Sequence, residues 1–276
     1  MKTLYITDLD GTFLDSNAQV SSISASIIKE LIEKGILFSL STARTHATVS
    51  EMFGDIPLNI PLVMMNGVLI FDPLKNEVLS AATIDKSAAE KVLEIFRKHG
   101  KAPMLYYADK SKIKIFYEDL ENKHQQSYIH SRDESGIKEF FYSPFLKVED
   151  GLIYMVTLDP REEIQAIYDE ICEVEGVNCM FYNDNYSGCY FLEVLSSSVS
   201  KGVGAEFVKK HVGADKIVAF GDNLNDIPLF KTSDECYAVE NAHPALKEIA
   251  TAVIGRNDED AVPLFIKAKV SENGVE

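Results

Sequence analysis

Two carboxylates stand two residues apart directly after the first apolar run of the chain. The run TLYIT is rich in strand-forming residues, and Asp8-Leu9-Asp10-Gly11-Thr12 follows it. Charged carboxylates at the end of a buried strand are unfavourable unless something pairs with them, and a hard cation such as Mg²⁺ prefers oxygen ligands. One carboxylate can then attack an electrophile while the other transfers a proton. The alternative is a plain turn that uses Asp and Gly for its geometry.

A second acidic segment follows another apolar run, KIVAF, and reads Gly221-Asp222-Asn223-Leu224-Asn225-Asp226. Asp222 is the candidate metal ligand, and Asn225 and Asp226 are placed to orient it. A helix N-cap at Asp222 or Asn223 is the alternative interpretation. Two acidic strand ends in one parallel sheet are expected to converge, which favours a shared site.

Two weaker signals concern anion binding. Thr42, in Ser41-Thr42-Ala43-Arg44, offers a hydroxyl and nearby backbone N–H groups to an anion, or it is simply a helix cap. Lys201 begins a helix after a serine-rich segment, where the helix dipole disfavours a cation. Such a lysine either binds a phosphate or lies on the surface. Arg44 and His46 either face the same cleft or are structural.

The elements that must position these residues alternate between strand and helix. A helix is predicted over 21–34, a strand at ILFSLST, a short helix over 46–53 and a strand at PLVMMN. After residue 200 the pattern resumes with a helix over 201–211, strand KIVAFGD, helix 224–231, strand CYAV, helix 244–250 and a frayed tail near 270–276. This alternation predicts a doubly wound parallel sheet, in which binding groups gather at the carboxyl ends of the strands.

Between these halves lies an aromatic-rich stretch with a different pattern. Its predicted strands are 103–107, 112–117, 152–158, 178–182 and 188–194, and its predicted helices are 86–99, 119–131 and 160–174. Short connections between strands indicate a partly antiparallel sheet. We therefore predict an inserted α+β domain over 82–193, and a first domain made of 1–81 and 194–276. The polar loop Asn183–Tyr186 could reach a substrate.

The four chemical segments, in this order, resemble the motifs of the haloacid dehalogenase superfamily, and specifically its Cof-type subfamily. DLDGT is similar to the first motif, Thr42 to the second, Lys201 to the third and GDNLND to the fourth. MMNGV (64–68), ENAHP (240–244) and RNDEDAV (256–262) extend the resemblance over nearly the whole chain. Ala43 departs from the subfamily, which usually has glycine there, although alanine supplies the same N–H. The insert corresponds to the large type IIB cap that sets substrate specificity.

The resemblance implies a Mg²⁺-dependent phosphatase acting on a small phosphate monoester, either a sugar phosphate or a phosphorylated cofactor. Asp8 would be the nucleophile that forms an aspartyl-phosphate, and Asp10 the general acid and base. Asp8, the Asp10 backbone carbonyl and Asp222 would hold the metal. The residues expected to hold the phosphoryl oxygens are Leu9 and Ala43 through their amides, Thr42, Lys201 and Asn225. A phosphomutase and a non-catalytic phospho-ligand sensor are the alternatives.

Composition excludes several other classes. The formal net charge of −16 argues against a nucleic-acid partner and against an anionic membrane surface. The four cysteines, Cys172, Cys179, Cys189 and Cys236, form no zinc-binding pattern and favour a reducing compartment. Without a signal peptide or an apolar run long enough to span a bilayer, we expect a cytoplasmic protein. The sequence predicts no oligomeric state.

Overall fold

The chain divides into two compact units, one made of residues 1–80 and 199–276 and the other of residues 81–198. The computed structural model describes residues 1–54, 56–118, 123–130, 136–183 and 188–272. The second unit is thus an insertion within the first. The boundary predicted between 193 and 194 lies within a strand, Tyr190–Ser196, whose residues pair in the sheet of the inserted unit.

The N-terminal half of the first unit forms elements close to those predicted. They are β1 (Thr3–Thr7), α1 (Ser22–Glu33), β2 (Leu37–Leu40), α2 (His46–Met52), β3 (Leu62–Met64), β4 (Leu69–Asp72) and β5 (Glu77–Ala81). The Ser21 hydroxyl accepts the Ser24 N–H and so caps α1. α1 buries Ile27, Ile28, Leu31 and Ile32, whereas Ile23, at similar spacing, is exposed.

β3 belongs to a different sheet from β1 and β2. It pairs antiparallel with β4 in a three-stranded sheet ordered β3-β4-β5, and a parallel bridge between Ser41 and Val63 links it to the segment that follows β2. β3 was predicted from its apolar run, but β4 and β5 were missed. An apolar run specifies burial, but it does not specify which strand will be its partner.

In its described residues, the inserted unit contains a six-stranded sheet and three helices. These are α3 (Lys86–Lys98), β6 (Met104–Asp109), β7 (Lys112–Tyr117), α4 (Lys123–His130), β8 (Lys138–Tyr142), β9 (Leu152–Asp159), α5 (Arg161–Ile171), β10 (Val177–Asn183) and β11 (Tyr190–Ser196). The strand order is β10-β11-β9-β6-β7-β8, and every pair is antiparallel except β7–β8. Buried residues of α3 and α5 pack with one another and with the sheet to form the core of this unit. β8 was not predicted.

The C-terminal half completes the first unit. Its elements are α6 (Lys201–Val212), β12 (Lys216–Gly221), α7 (Ile227–Thr232), β13 (Glu235–Ala238), α8 (Pro244–Lys247), β14 (Ala252–Val253) and α9 (Ala261–Glu272). α9 was not predicted, and it reaches Glu272 with Val270 buried, so that the expected tail near 270–276 is helical over its described part.

The main sheet of the first unit is parallel throughout, in the order β14-β13-β12-β1-β2. This confirms the predicted fold class, a doubly wound α/β sheet with an inserted α+β domain. β1 lies between β12 and β2, so the chain that leaves β1 is flanked by the ends of two other strands. Along the described parts of the chain, every helix is too short or too polar to cross a bilayer.

Candidate active site

The site begins where β1 and β12 end side by side. Thr7 is in register with Phe220, and the Asp8 N–H donates to the Phe220 carbonyl at 3.0 Å. The next residues along the two strands are therefore Asp8 and the Gly221-Asp222 pair. The parallel register thus brings the first and fourth chemical segments together, as their positions at strand ends predicted.

Lys201 is a buried cation that bridges two buried carboxylates. Its Nζ lies 2.8 Å from Oδ1 of Asp8 and 2.6 Å from Oδ1 of Asp226, and all three residues are at most 5% exposed. The Ser200 hydroxyl accepts the Val203 N–H and starts α6 at Lys201. The surface alternative for Lys201 is therefore wrong, because the helix start directs this lysine into the acidic cluster.

Asp226 accepts three hydrogen bonds from the protein itself. Its Oδ2 accepts the backbone N–H groups of Asp222 and Asn223 at 3.0 and 3.1 Å, while its Oδ1 accepts from Lys201. A β-carbon on Gly221 would lie 2.7 Å from the Asp226 carboxyl carbon, so glycine is required for this approach. Asp226 therefore fixes the loop that carries Asp222 and also holds Lys201 in place.

Asp222 is oriented by the first segment. The Thr12 hydroxyl donates to its Oδ1 at 2.8 Å. Gly11 has φ +78°, and a β-carbon there would lie 2.5 Å from Asp222 Oδ2. Gly11 is thus needed both for its left-handed backbone and for close contact with this carboxylate. Thr12 therefore supports the site through its hydrogen bond to Asp222.

Burial and mutual repulsion perturb the protonation of this cluster. Burial, together with the charges of Asp226 and Asp222, raises the pKa of Asp8 well above its usual range, despite the opposing effect of Lys201. Burial and the charge of Asp226 raise the pKa of Asp222 to about 6. Burial alone would lower the pKa of Lys201, but the charges of Asp226 and Asp8 outweigh it and raise that pKa.

The cluster has the chemistry of a divalent cation site. Within the described residues, Asp8, Asp222 and Asp226 each offer a carboxylate oxygen, and these oxygens all lie within 4.8 Å of one another. Three carboxylates against one ammonium leave an excess of negative charge, which a hard cation with oxygen ligands would neutralise. Because Asp226 already accepts three hydrogen bonds from the protein, Asp8 and Asp222 are the carboxylates best placed to hold such a cation.

The Asp10 carboxylate has a different partner from those of Asp8 and Asp222. Arg44 donates to both of its oxygens, from Nε to Oδ2 at 2.8 Å and from Nη2 to Oδ1 at 2.6 Å. The side chain of Asp10 is 51% exposed, and that of Arg44 is 25% exposed. A bidentate guanidinium contact fixes the plane of a carboxylate as well as its position. The Asp10 side chain is therefore held apart from the buried cluster.

Apart from Lys201, the predicted phosphate-binding groups lie in the segments that follow β1, β2 and β12. The Thr42 hydroxyl accepts the Arg44 N–H at 3.1 Å, and Asn225 Nδ2 donates to Asn66 Oδ1 at 3.3 Å. Within the described parts of the chain, the backbone N–H groups of Leu9 and Ala43 have no protein acceptor. Unpaired N–H groups at a strand end are suited to an anion.

Comparison with known proteins gives the family. The sequence model of a protein family described as "haloacid dehalogenase-like hydrolase" matches residues 5–266, which is nearly the entire chain. The chain belongs to the haloacid dehalogenase-like hydrolases. This haloacid dehalogenase-like hydrolase is 25% identical, over 98% of its length and 99% of the relative, to the 5-amino-6-(5-phospho-D-ribitylamino)uracil phosphatase YwtE of Bacillus subtilis.

Solved structures agree with this assignment at the level of the fold. A haloacid dehalogenase-like hydrolase from Bacteroides thetaiotaomicron superposes with a TM-score of 0.78 at 18% identity, covering 98% of this chain and 100% of the other. The sugar phosphatase BT4131, of haloacid dehalogenase subclass IIB, superposes with a TM-score of 0.72 at 18% identity over both full chains. The predicted enzyme class, a phosphatase of the haloacid dehalogenase type, is confirmed by the family and its relatives.

Some residues of this hydrolase have structural contacts that the sequence did not reveal. His46 is buried and stacks on Phe71, with ring centroids 4.4 Å apart. Asn183 ends β10 and is exposed, whereas Asp184 and Tyr186 of the same predicted loop lie outside the described residues. Sequence reasoning predicted for Asp226 an orienting role toward Asp222 and missed its contact with Lys201, and it left open whether Arg44 faces the cleft or is structural. Asp226 stands four residues after Asp222, and this spacing, which allows a side chain to fold back on the start of its own turn, was the available signal of its contact with the Asp222 loop.

Proposed function

We propose that this hydrolase is a Mg²⁺-dependent phosphatase that cleaves a small organic phosphate monoester through an aspartyl-phosphate at Asp8. The observation that carries the proposal is the buried contact of Asp8 with Lys201, beside Asp222. A buried, partly neutralised carboxylate with one oxygen held by an ammonium group has its other oxygen available for attack. The cluster has three carboxylates and one ammonium group, and this excess of negative charge explains why a cation is required.

In the first step, an Asp8 oxygen attacks phosphorus and the bond from phosphorus to the ester oxygen breaks. The electron pair of that bond passes to the leaving alkoxide, which takes a proton from Asp10. Protonation removes the negative charge from Asp10, so its two hydrogen bonds from Arg44 are weaker while it carries this proton. Arg44 then stabilises Asp10 again once it is ionised.

In the second step, water attacks the phosphorus of the aspartyl-phosphate. Asp10, now a carboxylate, accepts a proton from that water, the bond between phosphorus and the Asp8 oxygen breaks, and inorganic phosphate leaves. Asp8 and Asp10 return to their starting states, so the reaction consumes one water and one ester. Splitting a difficult displacement in this way makes each barrier lower than that of direct hydrolysis.

The groups that would hold Mg²⁺ are the carboxylates of Asp8 and Asp222 and the backbone carbonyl of Asp10. When bound, the ion supplies positive charge that reduces repulsion between the carboxylates and an incoming phosphate. The groups proposed to hold the phosphoryl oxygens are the N–H groups of Leu9 and Ala43, the Thr42 hydroxyl, Lys201 and Asn225. They are pre-oriented by the segments that follow the strands and, for Lys201, by the start of α6. Pre-orientation of this kind is the main protein contribution to such chemistry.

The proposed substrate is a sugar phosphate or a phosphorylated cofactor. The B. subtilis relative is named for a phosphate carried on a ribityl chain, and one structural neighbour is a sugar phosphatase. Both substrates are phosphate esters of polyhydroxylated alcohols. We assign the choice among such esters to the inserted unit, residues 81–198, because the residues proposed for the chemistry all lie in the other unit.

The test is phosphate release from a panel of esters, with Mg²⁺ and with excess EDTA. The panel contains hexose phosphates, flavin mononucleotide, pyridoxal phosphate and 5-amino-6-(5-phospho-D-ribitylamino)uracil. We expect release from at least one ester, loss of release in EDTA, and no turnover by Asp8→Asn. Asp150→Asn, at an exposed position of the inserted unit, is the matched control and should retain full activity.

Three outcomes would contradict the proposal. Release that persists in EDTA would exclude the metal requirement, and an isomerised ester without free phosphate would indicate a phosphomutase. Binding of esters with no reaction would indicate a sensor. Asp8→Asn should fold, because it removes a buried charge, and its circular dichroism spectrum and thermal midpoint check this.

A further inference from the structure

A strained turn lies beside the proposed phosphate-binding groups. Met65, Asn66 and Gly67, which follow β3, have φ values of +50°, +56° and +98°. Residues other than glycine rarely adopt this left-handed region, and asparagine does so more readily than methionine. Such a conformation persists only where surrounding contacts hold it, and it occurs preferentially at functional sites.

The contacts that hold the turn come from the neighbours of the proposed phosphate ligands. The Met65 N–H donates to the Arg44 carbonyl at 3.1 Å, and the Asn66 N–H donates to the Thr42 carbonyl at 2.9 Å. Gly67 packs against Ser200, and a β-carbon there would lie 2.3 Å from the Ser200 carbonyl oxygen. The turn therefore joins the second chemical segment to the start of α6.

The Asn66 side chain connects this turn to the fourth segment. Asn66 is 2% exposed, and its Oδ1 accepts from Nδ2 of Asn225 at 3.3 Å. A primary amide has two N–H donors. When Asn66 accepts from one of these N–H groups, rotation of the Asn225 amide is restricted, and the direction of the second N–H is set as well.

We propose that Asn66 is a positioning residue that orients the Asn225 amide for phosphate binding. The left-handed backbone at Asn66 aims its side chain at Asn225, and asparagine both tolerates that backbone and supplies the acceptor. The inference rests on the proposed function, because it assigns Asn225 to the phosphoryl group. Asn66 acts through Asn225, so its substitution should have an effect only when Asn225 is present.

A double-mutant cycle tests this coupling. Asn66→Gly removes the side chain and keeps the left-handed backbone accessible. We measure the dissociation constant of inorganic phosphate by calorimetry in Mg²⁺, and kcat/KM with p-nitrophenyl phosphate. Asn66→Gly and Asn225→Ala should each weaken phosphate binding by about fivefold or more, the loss expected for one hydrogen bond. The double variant should be no weaker than Asn225→Ala alone.

Asn76→Gly is the matched control, because Asn76 is an exposed asparagine with φ +53°. It should bind phosphate as the wild type does. Asn66→Asp provides a second route if Asn66→Gly fails to fold, since a carboxylate keeps the acceptor and the left-handed tolerance. The negative charge of the new carboxylate weakens phosphate binding by itself. Adding Asn225→Ala to this variant should still reduce phosphate affinity by about the same factor as it does in the wild type.

The proposal is overturned if the fold-increases in the phosphate dissociation constant caused by Asn66→Gly and Asn225→Ala multiply in the double variant. It is also overturned if Asn66→Gly binds phosphate as tightly as the wild type does. The third contrary result is that Asn225→Ala leaves phosphate binding unchanged in a protein that already carries Asn66→Asp. A wild type that binds phosphate but hydrolyses no ester defeats the proposed function, and the binding cycle still decides the role of Asn66. A wild type that binds no phosphate overturns both.

Discussion

The buried cluster around Lys201 is unfavourable for folding in the absence of a ligand. Asp8, Asp222 and Asp226 lie within 4.8 Å of one another, and one ammonium group cannot neutralise all three. Buried ion pairs seldom stabilise a protein more than apolar residues would, so an arrangement with surplus charge points to a ligand that supplies the balance. The raised pKa values of Asp8 and Asp222 express the same imbalance.

Replacing Asp222 by Asn should therefore stabilise the metal-free protein at neutral pH. The pKa of Asp222 is about 6 in the fold, against an ordinary value of 3.8. The folded state thus binds this proton more tightly than the unfolded chain does. The resulting stabilisation is complete below pH 3.8 and is lost as the pH rises through about 6. At pH 7.5, Asp222→Asn removes a penalty of up to about 3 kcal/mol.

Thermal or urea unfolding in EDTA at pH 7.5 and pH 5 measures this effect. The difference between Asp222→Asn and the wild type should be large at pH 7.5 and shrink at pH 5. Added Mg²⁺ should raise the midpoint of the wild type and leave that of the variant nearly unchanged. A variant that is less stable than the wild type at pH 7.5 would show that Asp222 is a structural carboxylate.

The loss of kcat/KM on substitution of Arg44 should be larger for esters whose leaving group needs a proton from Asp10. The guanidinium fixes both oxygens of Asp10, so Arg44→Met leaves the proposed general acid without orientation. General acid catalysis contributes about 10²–10⁴-fold, mostly for poor leaving groups. We expect kcat/KM to fall by about tenfold or more with glycerol phosphate, and by much less with p-nitrophenyl phosphate.

Arg256→Met is the control for this test, because Arg256 pairs with Asp258 in an exposed loop of the same unit. It should leave both rates unchanged. Equal losses for the two esters in Arg44→Met would assign Arg44 to the phosphate or to the fold instead of to Asp10.

At the level of elements, glycines set how closely α6 approaches its neighbours. A β-carbon on Gly202 would lie 2.3 Å from the Pro228 carbonyl oxygen of α7, and one on Gly204 would lie 2.3 Å from Val63 Cγ1 of β3. Real β-carbons do not approach backbone oxygen so closely, so α6 would have to move. Because Lys201 begins α6, movement of this helix displaces the ammonium from Asp8 and Asp226.

Gly202→Ala should consequently reduce both stability and activity. Overpacking of this kind costs about 1–3 kcal/mol, even though alanine favours a helix more than glycine does. Gly54→Ala is the matched control, since its β-carbon would meet nothing closer than 3.8 Å. Unfolding midpoints and ester hydrolysis of the two variants check this. Wild-type behaviour of Gly202→Ala would mean that α6 can shift without disturbing Lys201.

The elements predicted from the sequence are those whose own residues carry a clear hydrophobic pattern. β1, β12, α1, α3 and α5 were each marked by an apolar run or a helical repeat. The missed strands, β4, β5, β8 and β14, depend on pairing partners: β14 has only two residues, and β8 joins β7 in parallel across a long connection. α9 has weak amphipathic patterning and a proline in its first turn, which concealed it.

For the whole molecule, strand-end position was enough to predict that Asp8 and Asp222 lie together. Both follow the ends of neighbouring strands in a parallel sheet, so the topology determines their convergence. The position of Lys201 at the start of α6 left open whether this lysine is buried or exposed. Side-chain pairings between distant segments were not predictable. Arg44 and Asp10 are 34 positions apart, and Asn66 and Asn225 are 159 apart, so their contacts depend on backbone conformations that leave no local pattern.

The central claim is that Asp8 becomes phosphorylated during turnover. The most direct measurement is borohydride reduction of the enzyme during reaction with p-nitrophenyl phosphate and Mg²⁺, followed by peptide mass spectrometry. Asp10→Asn should accumulate the intermediate, because a good leaving group needs no acid and the second step lacks its base. We expect position 8, and no other aspartate, to be reduced to homoserine. Turnover without reduction at position 8, or reduction elsewhere, would contradict this account.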